Sequence, residues 1–129
     1  MINLKFEEIV LLRFSFADGK TFKKRPALLI NSFGDGDIVV YRITSKIYEI
    51  NYDIYIENWK NAGLMLPSII GVHKLATLEK SMVLLVISEI DTFLKSQVKS
   101  KFLALITSIN VLLINKSYYK YSFTTFRPN

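Results

Sequence analysis

Residues 23–46 read KKRPALLINSFGDGDIVVYRITSK, and their pattern decides the fold. Two apolar runs, residues 27–31 and 38–44, are rich in branched side chains that suit an extended, half-buried backbone. Between them Gly34, Asp35, Gly36 and Asp37 concentrate residues that turn a chain back on itself, so the two runs pair as an antiparallel hairpin. Pro26 opens the first run, where its missing N–H costs no ladder bond. In such a hairpin, positions whose numbers sum to about 70 face each other, which brings residue 25 within a residue or two of residue 45.

The same alternation of β-rich runs and turns extends outward. Residues 8–16, EIVLLRFSF, read as a strand ended by Ala17, Asp18 and Gly19. Residues 51–57, NYDIYIE, alternate, with Tyr52, Ile54 and Ile56 on one face, as a half-buried strand does. A loop with Trp59, Gly63 and Pro67 leads to predicted strands over residues 68–72 and 83–87, joined by a connection over 73–80. From Ser88 the period changes: Ile90, Leu94, Val98, Phe102, Leu105 and Ile106 mark an amphipathic helix, and Ser88 with Asp91 is its N-cap signature. The chain therefore reads as mainly β with a C-terminal helix, a small antiparallel sheet or barrel. Past residue 107, INVLLI fits either a helix or a strand, so the expected division is a domain over residues 1–107 and an extension over 108–129.

A chain of 129 residues with half its side chains hydrophobic can bury one core and suits one domain. The absence of cysteine removes disulfides, thiolate chemistry and thiolate-bound zinc. His73 is the only histidine, and neither HExxH nor DxDxDG occurs, so the reading needs no metal and no cofactor. The net charge of +6 invites a nucleic-acid partner, but residues 1–91 hold 11 basic and 11 acidic residues. The whole excess lies in Lys95, Lys99, Lys101, Lys116, Lys120 and Arg127, where a solvated helix face explains it as well. The opening MINLKFEEIV carries acids and lacks the apolar centre of a secretory signal, which predicts a cytoplasmic protein. The longest apolar stretch, residues 102–114, falls short of the roughly 20 residues that span a bilayer.

Metal-free cleavage of RNA requires a hydroxyl nucleophile, stabilisation of charge on the crowded phosphorus and a proton for the leaving oxygen. Arginine suits the second task because its permanently charged fork holds two phosphate oxygens at once. Arg25 opens the second strand and Thr44 ends the third, so the hairpin brings a guanidinium beside a hydroxyl. The same residues also fit a solvated Lys-Lys-Arg edge and a Thr-Ser turn that bonds its own backbone. His73 alone fits a structural histidine as well as a general base. Trp59 and the tyrosines suit packing as well as base stacking.

The order EIVLLRFSFADG, KKRPALLIN, GDIVVYRITSK and AGLMLPSIIGVHKLATLEKS, spanning residues 6–90, resembles the PemK/MazF family of toxins from type II toxin–antitoxin systems. Arg25-Pro26, Ile43-Thr44-Ser45, Ala62-Gly63-Leu64, Pro67-Ser68 and the segment 75–80 carry the likeness. The resemblance implies an SH3-like small barrel of the CcdB-like superfamily, a homodimer that cuts single-stranded RNA, and a cognate acidic antitoxin covering the RNA groove. It further implies that Arg25 stabilises the phosphorane-like transition state and can donate a proton, and that Thr44 orients or helps deprotonate the attacking 2'-hydroxyl. Lys24, Ser45 and Lys46 flank that pair as expected RNA-binding residues. Glu7-Glu8 stands where the family has Gly-Asp, and Gly71 and His73 stand where some members carry Arg and Asp. His73 is thus the third catalytic candidate. Two other readings keep the fold: a degenerate member that binds without cutting, and a CcdB-like poison of DNA gyrase.

Overall fold

A computed structural model of the protein describes residues 4–47 and 50–119, with side chains through residue 109. Six strands, β1 Glu8–Ser15, β2 Phe22–Ser32, β3 Asp37–Thr44, β4 Asp53–Ile56, β5 Ser68–Glu79 and β6 Val83–Glu89, precede one helix, α1 Thr92–Tyr119. The strands form one antiparallel sheet in the order β4-β5-β3-β2-β1-β6. At its centre the hairpin runs as the turn dictates: Ser32 faces Ile38, Asn31 faces Val39, and after a one-residue shift Leu29, Leu28 and Ala27 face Val40, Tyr41 and Arg42.

The sheet buries residues on both sides. On one, Ile9, Leu28, Tyr41, Ile43 and Ile70 receive Leu94 and Val98 of α1, with Phe102 and Leu105 packed alongside. The ring of Tyr41 meets that of Phe102 edge-on at 6.2 Å, and burial pushes its phenol up to about 12. On the other side Val10, Leu12, Ala27, Leu29, Ile38 and Val40 form a second cluster. That cluster also gathers Ala76 and Leu78 of β5 with Val83 of β6, although three strands separate β5 from β6, so the sheet is strongly curled. The expected small barrel is therefore realised as a curled sheet whose edges, β4 and β6, do not pair.

Two expectations change in detail, and a third, open between helix and strand, is decided. Residues 73–79 are not a connection: they continue β5, because the outer half of β3 needs a partner, and Asp37 through Tyr41 pair with Glu79 through Leu75. Only the 3₁₀ turn Lys80–Met82 joins β5 to β6. The helix starts at Thr92 and not at Ser88, which lies in β6 and donates its hydroxyl to the Ala62 carbonyl at 2.7 Å. Asp91 alone caps it, accepting the Leu94 N–H at 2.8 Å. Finally, INVLLI continues the helix, which runs without interruption past residue 107 to Tyr119. The portion of the expected extension beyond residue 119 lies outside the described residues.

Two left-handed positions have opposite consequences. Gly63 has φ +82°, and a Cβ added there would stand 2.5 Å from Ile87 Cγ2. Gly63→Ala is therefore expected to cost about 1–3 kcal/mol, from the backbone penalty and the clash together. Glu7 adopts φ +73° with a full side chain. Its N–H donates to the Leu29 carbonyl at 2.8 Å and its carbonyl accepts the Ile90 N–H at 3.2 Å, so β2 and the approach to α1 fix this kink from both sides. Glu7→Gly is expected to raise stability by about 1 kcal/mol. Denaturant midpoints measure both, and a Glu7→Gly midpoint at or below the parent's contradicts the second.

Candidate active site

The hairpin register and the twofold alternation of strands decide which side chains share a face. Ala27 and Arg42 are paired, so their side chains lie on the same side of the sheet. Arg25 and Thr44 each lie two residues further along their strands, past the last pair of that ladder, and alternation puts them on the same side. Both ends are open to solvent: Arg25 is exposed and Thr44 half-buried. Arg25 makes only a long contact, donating from its guanidinium to the Lys24 carbonyl at 3.4 Å. Among the described residues the one ion pair is Lys95 with Glu89, so no carboxylate neutralises Arg25.

Thr44 forms the turn that its alternative reading anticipates: Oγ1 accepts the Lys46 N–H at 3.1 Å. A hydroxyl that accepts one bond keeps its proton to donate and a second lone pair to accept with. The turn therefore fixes the Thr44 side chain without exhausting it. Ser45 and Lys46 are exposed just beyond β3. Lys24, paired with Arg13, alternates to the opposite side of β2 from Arg25. There its ammonium lies 5.8 Å from the Phe22 ring, which the Arg13 guanidinium also covers at 4.0 Å.

His73 lies in an irregularity of β5. The ladder between β3 and β5 jumps from Tyr41↔Leu75 to Arg42↔Gly71, leaving Val72, His73 and Lys74 as extra residues. The His73 ring is 6.3 Å from that of Tyr52, and its Nδ1 is buried without a hydrogen-bond partner. It thus packs toward β4, away from the row that holds Arg25 and Thr44. Arg42 was not singled out in the sequence, although the signal was available: it is two residues from Thr44 on one strand and so shares its face.

Other features of the molecule do not compete for this chemistry. A cleft of about 230 Å³ between β4 and the start of α1 is lined by Glu57, Glu89 and Asp91, charges that repel a phosphate, and contains none of the candidates. Among the described residues no three His, Cys, Asp or Glu side chains are grouped to hold a metal ion, and no helix is long and apolar enough to cross a membrane.

The family model described as PemK-like, MazF-like toxin of type II toxin–antitoxin system matches residues 5–106. No curated protein sequence matches significantly. Among solved structures, the chain is similar to a MazE–MazF structure from Deinococcus radiodurans, with a TM-score of 0.65 at 14% identity over 81% of this chain and 96% of that one. It is also similar to a mycobacterial endoribonuclease in complex with its cognate antitoxin, with a TM-score of 0.59 at 13% identity over 81% and 96% of the two chains. The Mycobacterium tuberculosis toxin MazF-mt6 gives 0.60 at 15% identity over 74% and 91%. At such identities the structures establish a shared fold.

Proposed function

Because the chain belongs to the PemK-like, MazF-like toxins of type II toxin–antitoxin systems, we propose that it is an endoribonuclease that cuts single-stranded RNA without a metal and thereby inhibits translation and growth. The observation that carries this reading is the β2–β3 register, whose alternation brings Arg25 and Thr44 to one face, with no carboxylate paired to the arginine among the described residues. In the reaction the 2'-oxygen of the RNA attacks the adjacent phosphorus and the bond to the 5'-oxygen breaks. The 2'-hydroxyl loses its proton as the leaving oxygen gains one, so no water is consumed. The products are a 2',3'-cyclic phosphate and a 5'-hydroxyl. Arg25 would hold the non-bridging oxygens as charge builds on them, and Thr44 would orient the attacking hydroxyl. Ser45 and Lys46 would flank the pair as RNA contacts, whereas Lys24, on the opposite side of β2, and His73, the remaining acid–base candidate, packed toward β4, would act only on RNA that wraps around this end of the sheet.

The same face is where an acidic antitoxin segment, folding on contact, would compete with RNA. This agrees with the antitoxin present in the mycobacterial relative's structure. The working form in this reading is a cytoplasmic homodimer. The test is incubation of the purified protein with a long single-stranded RNA in EDTA, followed by mapping of the ends. Cyclic phosphate and 5'-hydroxyl termini are expected. A requirement for magnesium overturns the metal-free mechanism, and intact RNA with gyrase-dependent DNA breaks overturns the ribonuclease reading.

A further inference from the structure

The irregularity in β5 has a second effect, on the face that holds Arg25 and Thr44. Gly71 pairs with Arg42 on one side and with Asp53 on the other, so the Cβ that Gly71 lacks would lie on that face, between those two residues. The space is not empty. Lys74 fills it: its Cγ and Cβ come within 3.1 and 3.4 Å of where a Gly71 Cβ would stand. The three extra residues of the irregularity thus fold the Lys74 stem back over Gly71, on the side of the sheet that Arg42 and Thr44 share. Asp53 is close by, with Oδ1 3.8 Å from the same point, and its Oδ2 accepts the Ile50 N–H at 3.1 Å. Neither Arg42 nor Lys74 is in an ion pair among the described residues, and both are exposed.

From this geometry we propose that Lys74 and Arg42 extend the phosphate-binding surface beside Arg25 and Thr44, each gripping an RNA backbone phosphate one nucleotide or more from the bond that is cut. The proposal rests on the ribonuclease reading and extends it. Lys74 and Arg42 stand on adjacent strands of one sheet face, offset from Arg25 along the strands, so each takes its own phosphate and together they extend the grip along the backbone beyond the phosphate that Arg25 holds. Their role is positioning through charge, blind to base identity. Gly71 is part of the device, since a branched side chain there would crowd the Lys74 stem.

A single-stranded 20-mer of mixed sequence with every sugar 2'-O-methylated cannot be cut by 2'-oxygen attack, so its binding to the full-length protein can be followed across salt concentrations. Each phosphate contact contributes about 0.7 to the slope of log affinity against log salt for a single strand. Lys74→Ala and Arg42→Ala are each expected to lower the slope by about that amount, and the double variant by about twice as much. Lys74→Arg should retain the slope. Gly71→Val should lower it as Lys74→Ala does, with every charge still present. Lys80→Ala, outside this face, should leave it unchanged. Parent-like slopes in both Lys74→Ala and Arg42→Ala, with RNA cleavage by the parent protein intact, overturn this inference and leave the ribonuclease reading standing. A parent protein that neither binds the 20-mer nor cuts unmodified RNA overturns both.

Discussion

Arg25→Ala is expected to slow RNA cleavage by about 10²–10³-fold, the usual consequence of removing one donor aimed at developing negative charge. The loss should fall on the chemical step and not on folding, because the side chain is exposed and its one polar contact is a 3.4 Å bond to a neighbouring carbonyl. Arg25→Lys separates charge from geometry: the ammonium keeps the charge but cannot grip two oxygens in a plane, so its rate should fall between parent and Arg25→Ala. Single-turnover cleavage in EDTA, with thermal unfolding measured on the same samples, checks both parts. Full-rate cleavage by Arg25→Ala removes the arginine from the mechanism.

How much of this site could be read in the sequence depends on the distance of each residue from the turn. A two-stranded hairpin is counted outward from its loop, so the register was predictable once Gly34 to Asp37 were recognised as the turn: it holds as far as Ala27 and Arg42, a one-residue shift near Ile30 alters the count by a single position, and alternation carries it on to put Arg25 and Thr44 on one side of the sheet. Chemistry was less legible than position. The Thr-Ser turn that competes with a catalytic role for Thr44 does form, and the two are compatible because the turn uses only one lone pair. Arg42 escaped notice because a cation inside a strand looks like an ordinary exposed position until its partner strand is known. Lys74 could not have been found at all: its place over Gly71 arises from a mismatch between two pairings of β5, and such a mismatch leaves no periodic trace.

The fold was legible where one period dominates. The stripe of Leu94, Val98, Phe102 and Leu105 on α1 packs as a helical period requires, while Ile90, which fits the same spacing, is buried just before the helix begins. Ser88 misled because a hydroxyl three residues before an acid is a capping pattern in any setting, and here the hydroxyl bonds Ala62 across the loop instead. The outer half of β5 was hidden by Thr77 and Glu79, polar residues that read as a loop but occupy exposed positions of a strand. In each case local propensity was overridden by a partner distant in sequence, which periodicity cannot see.

Ile70→Ala is expected to cost about 2–5 kcal/mol, and Ile70→Val about 0.5–1.5 kcal/mol. Ile70 is fully buried in the middle strand of three, in register with Ile43 on β3 and Ile54 on β4. Because ladders hold β5 on both sides, the backbone cannot move in to fill the space an alanine leaves, which places the cost toward the upper part of that range. Against a total of about 5–15 kcal/mol for a domain of this kind, such a loss is a large share of all the stability there is. Denaturant unfolding should show a midpoint far below the parent's with an unchanged slope. Activity makes the contrast with Arg25→Ala: Ile70→Ala should cut RNA at close to the parent rate per folded molecule, losing activity only as the folded fraction falls. A near-parent midpoint for Ile70→Ala would mean that the sheet relaxes around residue 70, and the rigid support this strand gives to Gly71, one residue on, would then have to be placed elsewhere.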